Sequence, residues 1–155
     1  MLKSLRRFRA LERTAQALLL RAFLMLPLVG LSLKLRGFDA TRYALRKRLL
    51  LETSQMDPTT SLDKQIAMTA HLVNAADRHG LFHPSCLAKS LTLWWLLGRQ
   101  GIKSQLRVGI RKDGGNLEAH AWVEHEGMAL NEPEERHHHY AAFDAALASL
   151  PEEER

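Results

Sequence analysis

The chain has 155 residues, enough for one domain with its own core and hardly enough for two. A composition of 46% hydrophobic and 25% charged residues excludes a disordered chain, and a single cysteine, Cys86, excludes an intramolecular disulfide. The net charge of +5 is unevenly spread, with +10 on residues 1–50, +3 on 51–116 and −8 on 117–155. The basic front half suits an acidic partner or the acidic tail of its own chain. No helix-turn-helix, zinc-finger or ribonucleoprotein pattern accompanies it, so nucleic acid is not an expected partner.

Residues 3–35 are rich in Leu, Ala and Arg and predict helix, with Pro27 expected to kink or divide it. The longest uncharged stretch, residues 22–33, is bracketed by Arg21 and Lys34 and is shorter than the ~20 apolar residues of a spanning helix. A buried or surface-associated helix is the reading, and a membrane surface is not an expected partner. Gly37 stops this helix, and Asp39 is a fair cap for a second over about 40–52. Asp57-Pro58-Thr59-Thr60 reads as a loop. A third helix, capped by Thr60 or Ser61, runs to His79, with Gly80 as its left-handed terminator. A fourth starts near Cys86 and ends before Gly101.

The period then changes from helical to alternating. Ser104–Arg111, Glu118–Glu124 and Met128–Glu132 predict three strands, with a turn at Asp113-Gly114-Gly115-Asn116. Residues 133–139 read as an exposed loop and 140–150 as a short helix. Helices first and a small antiparallel sheet after them make an α+β protein.

Cys86 follows Pro84 and Ser85, residues that open helices, so it falls in the first turn of the fourth helix. There the helix dipole favours a thiolate, and free N–H groups can hold an oxyanion. The helix behind it is apolar nearly all round, which predicts burial. The alternative is an inert buried thiol.

His120 lies in Ala119-His120-Ala121-Trp122-Val123-Glu124, where alternation puts His120, Trp122 and Glu124 on one face. An imidazole is the usual base for a thiol nucleophile; the alternative is a structural histidine. A three-residue loop at His125-Glu126-Gly127 would pair His120 with Glu132, near enough for the carboxylate to orient the ring, and would turn Asn131 to the other face. A two-residue turn would break that pairing. Glu132 otherwise reads as one more acid in an acidic tail. Trp122 shares the face of His120 and is a candidate wall of a substrate cleft, or plain core. A zinc site of Cys86, His120 and His125 is not expected, because His125 should point away from His120 or sit in the turn. His137-His138-His139 reads as a solvated loop. No metal and no cofactor are expected.

Residues 82–132 resemble the leader peptidase of lasso-peptide maturation, a transglutaminase-like cysteine protease. The matching stretches are Ser85-Cys86-Leu87 with Lys89 three residues after the cysteine, then LWWLLGRQGIKSQLRVGIRKD, then AHAWVEHEGMALNE. The resemblance implies a papain/transglutaminase-like core over residues 57–150, with a central cysteine-bearing helix on a small antiparallel sheet, preceded by a helical part over 1–53 within one domain. It implies Cys86 as nucleophile, His120 as base and Glu132 as orienting acid, where the family usually has aspartate. The implied activity is removal of a leader from a ribosomally made precursor peptide through a thioester acyl-enzyme, in the cytoplasm. The helices at the front match the stand-alone form, for which a separate leader-recognition protein, and a macrolactam-forming cyclase, are the expected partners. A non-catalytic scaffold of the same fold, binding precursor or cyclase, is the alternative. A transglutaminase acting on glutamine would share the acyl-enzyme step.

Overall fold

A computed structural model describes residues 12–51, 61–80, 84–113, 116–131 and 141–142. Helix α1, Arg13–Leu51, buries Ala15, Leu18, Ala22, Leu26 and Val29, a stripe at spacings of three and four that faces the core. Gly37 interrupts it with φ 79° and ψ −177°, a conformation a side chain resists, so α1 is two arms, 13–36 and 38–51. The Thr41 hydroxyl donates to the Gly37 carbonyl at 2.7 Å, so Ser32 is the donor in its 2.8 Å bond to Thr41. Met25, Ser32, Leu45 and Arg48, drawn from both arms, line a cavity of about 350 Å³.

Pro27 does not divide the helix, division being one of the two outcomes expected of it. It removes one N–H bond, and the buried neighbours Leu26 and Val29 hold the turn around it. Proline and glycine cost a helix interior about 3 and about 1 kcal/mol relative to alanine, and both stand in this arm, at Pro27 and Gly30. The outer face of the arm exposes Leu20, Leu24, Leu28, Leu31 and Leu35. By length and composition α1 could cross a membrane. Its inner stripe nevertheless belongs to the same core as the other elements.

Helix α2, Leu62–His79, has Asp63 in its first turn and Arg78 and His79 in its last, matching the helix dipole. Ser61 occupies the cap position without a side-chain bond, and Gly80, at φ −70°, is extended and does not form the expected left-handed terminator. Helix α3, Cys86–Arg99, is the centre of the molecule, with Ala88, Leu91, Leu93, Leu96 and Leu97 at 1% exposure or less. Helices α1 and α2 both pack on it.

The sheet is antiparallel, in the order β3-β2-β1-β4. Strand β1, Gln105–Asp113, pairs with β2, Asn116–His125, from Gln105 opposite Glu124 to Asp113 opposite Asn116. Leu106 and Val123 join the helical core, so one face of the sheet closes it. Strand β3, Met128–Ala129, is shorter than the expected 128–132. Ala141 and Ala142, assigned to a terminal helix from the sequence, instead form β4 against Ile110 and Gly109. The open edge of β1 accepts this pair, and the ladder overrides the high helix propensity of alanine. The architecture is α+β, as the change of period implied.

Candidate active site

Ser85 caps α3. Its Oγ accepts from the Ala88 N–H at 3.2 Å and its carbonyl from the Lys89 N–H at 3.0 Å. Cys86 is the first helical residue and is half-buried. Among the described residues nothing accepts from the Cys86 and Leu87 N–H groups, the two orphan donors a helix start leaves beside the first side chain. Lys89 would oppose the dipole in this turn, and Asp77 of α2 offsets it with an ion pair at 3.7 Å.

One turn along, on the same helical face as Cys86, stands Ser90, at 0% exposure. Its hydroxyl donates to the carbonyl of Ala121 at 2.8 Å. Asn131 completes the joint: Nδ2 donates to Ser90 Oγ at 2.9 Å and Oδ1 accepts from the Val123 N–H at 2.8 Å. The Ala121 carbonyl and the Val123 N–H therefore go to Ser90 and Asn131, while the Val123 carbonyl accepts from the Leu130 N–H at 2.9 Å. The helix mouth is held about 6 Å, one turn, from a bond to the residue next to His120.

His120 is half-buried, with Nε2 shielded from solvent. Its partner across the ladder is the buried Gly109, so β1 puts no side chain beside the imidazole. Its ring stacks on Trp122, centroids 6.2 Å apart and planes 17° from parallel. Trp122, at 2% exposure, donates from Nε1 to Glu124 at 2.7 Å, and Arg107 holds the other Glu124 oxygen at 3.0 Å. The shared face of His120, Trp122 and Glu124 is as alternation predicts.

The hairpin register is not. Glu124 faces Ala129 and His125 faces Met128, which leaves a two-residue turn of Glu126 and Gly127, both at positive φ (49° and 81°). That pattern matches the strand twist better than a three-residue loop and wins even with a glutamate in the left-handed region. The register that would set Glu132 opposite His120 is therefore not adopted. Glu132 itself lies outside the described residues, as do His137–His139. His125 puts Nδ1 2.6 Å from the Lys103 carbonyl, at the far end of β2 from the helix mouth. Among the described residues no cluster of three potential metal ligands occurs.

Sequence reasoning missed Ser90 and Asn131. The signal available was a serine inside an otherwise apolar helix and an amide just past a strand, polar groups that burial obliges to find each other.

The structure thus holds a half-buried cysteine opening a central helix that packs on an antiparallel sheet, with a histidine in the adjoining strand. The family model of the transglutaminase-like superfamily matches residues 25–143, and the chain belongs to that superfamily. The matched region begins inside α1 and takes in the rest of the described fold. Comparison with curated proteins and with solved structures gave no match.

Proposed function

We propose that the chain is a cysteine peptidase that removes the leader from a ribosomally made precursor during lasso-peptide biosynthesis. The observation that carries the reading is the capped start of α3, with Cys86 as its first residue, in a chain of the transglutaminase-like superfamily. The Ser90–Asn131 joint ties α3 to β2, while His120 stands on the sheet face opposite the one that Val123 turns to the helical core. In this reading His120 takes the thiol proton, and Cys86 Sγ attacks the scissile carbonyl. The oxyanion is met by the two first-turn N–H groups. Collapse expels the amine of the following segment, which collects the proton from His120, and leaves the leader as a thioester on Cys86. Water, activated by the same imidazole, then frees the leader acid and the thiol. Glu132 is proposed as the orienting acid on the resemblance alone, since the hairpin register does not set it opposite His120. Trp122, stacked on the ring, steadies it. No metal takes part, and EDTA is expected to leave the rate unchanged.

The cytoplasm, a leader-recognition protein and a cyclase as partners belong to the same proposal. A single experiment tests it. Wild type and Cys86→Ala are incubated with the precursor and its recognition protein, and the masses of the products are compared. Cleavage by wild type alone supports the reading. Equal cleavage by both would remove Cys86 from the mechanism, and binding without cleavage by either would favour the scaffold.

A further inference from the structure

Alongside the helix mouth runs an apolar groove of about 830 Å³. One wall is the first arm of α1 and the start of the second, with Leu26, Pro27, Gly30 and Lys34. The other is the segment that carries the cysteine, with Pro84 and Leu87. The groove therefore reaches the residues on either side of Cys86. Its size is that of a ligand site.

Two features say what it takes. Pro27 and Gly30 are poor helix residues, and packing does not explain the glycine: a Cβ at Gly30 would meet nothing within 4 Å. The missing side chain is space left open in the groove. Among the described residues Lys34 is the only charged one lining it, is exposed, and makes no ion pair. An apolar trough with a cation at its rim, lined by the neighbours of Cys86 though not by Cys86 itself, fits an extended peptide bearing bulky apolar side chains and one carboxylate.

We infer that this groove is the specificity subsite of the enzyme, seating an apolar stretch of the peptide substrate with an acidic residue against Lys34. The inference rests on the peptidase reading above. Binding is separated from turnover by using the full-length chain with Cys86→Ala. Three fluorescein-labelled decapeptides serve as probes in fluorescence anisotropy: one rich in Leu and Phe with a single Glu, one with Lys for that Glu, and one with Ser for the apolar residues. The first is expected to bind at least tenfold tighter than the other two. Adding Gly30→Leu fills the trough and should weaken it at least tenfold. Adding Lys34→Glu, an exposed change that leaves folding alone, should reverse the preference between the Glu and Lys peptides. Circular dichroism checks that each variant is folded.

Equal affinities for the three peptides, no binding by any, or affinities untouched by both substitutions would overturn the inference. So would a loss of self-association, in place of peptide binding, on Gly30→Leu, which would assign the groove to a second copy of the chain. Failure of the two readings is distinguishable. If the peptides bind as stated but the wild-type chain cleaves none, the groove stands and the peptidase reading falls. If wild type cleaves all three alike and Gly30→Leu does too, the peptidase stands and the groove falls.

Discussion

Asn131 is the residue that ties α3 to the sheet, although it carries no chemistry. Its amide satisfies the Val123 N–H and the Ser90 hydroxyl at once, and all three groups are buried. Leaving such groups unpaired costs about 1–3 kcal/mol each. Asn131→Ala should therefore destabilise the fold by about 2–4 kcal/mol, and Ser90→Ala by about 1–3 kcal/mol, in urea titrations. Wild-type stability for both would mean the joint is dispensable. Glu126 runs the other way. At φ 49° it sits where a side chain costs about 1 kcal/mol, and asparagine tolerates that region better. Glu126→Asn should raise stability by up to about 1 kcal/mol, read as a higher urea midpoint with unchanged slope. No gain would place the strain elsewhere. The turn also shows a limit of sequence. His125-Glu126-Gly127 fits two loop lengths, because glycine serves the left-handed position in either, and only the twist of the paired strands decides between them.

Among the elements, α3 was the most legible. Pro84-Ser85 opens it, its apolar residues bury it, and its start at Cys86 follows from side-chain chemistry within a few residues. Ser85→Ala should cost about 1 kcal/mol, because the Ala88 N–H loses its acceptor, and should loosen the first turn that holds Cys86. Thermal melts and cleavage rates together check this, and a variant with both unchanged would contradict the capping role. Strands β1 and β2 were equally plain, since alternation sorts the His120 face from the Val123 face. What the sequence did not show depends on distant partners. Pro27 looks like a break until the neighbours that hold the turn are known. Ala141-Ala142 looks helical until the open edge of β1 is present to pair with it.

At the scale of the whole molecule, charge and apolar surface are both displaced toward the front of the chain. The stripe of Leu20, Leu24, Leu28, Leu31 and Leu35 lies on an arm carrying Arg21, Lys34 and Arg36, within a half whose charge is +10. Surfaces of this kind speed association with acidic partners and lose that advantage as salt rises. Cleavage stimulated by a leader-recognition protein should therefore slow between low and moderate salt, while the basal rate changes little. A stimulated rate flat with salt would show that the charge serves only solubility or pairs with the chain's own acidic tail.

The account stands or falls on Cys86 and His120 acting as a pair, and this can be measured without a substrate. The chain has a single cysteine, so every alkylation event reports on it. The rate of iodoacetamide addition at pH 7 is followed by intact mass for wild type and His120→Ala, with folding checked by circular dichroism. A base beside the thiol supplies thiolate, the form that reacts. The account predicts that folded His120→Ala reacts at least tenfold more slowly than wild type. Equal rates in the two folded proteins would contradict it and return Cys86 to the role of a small apolar residue at the start of a buried helix.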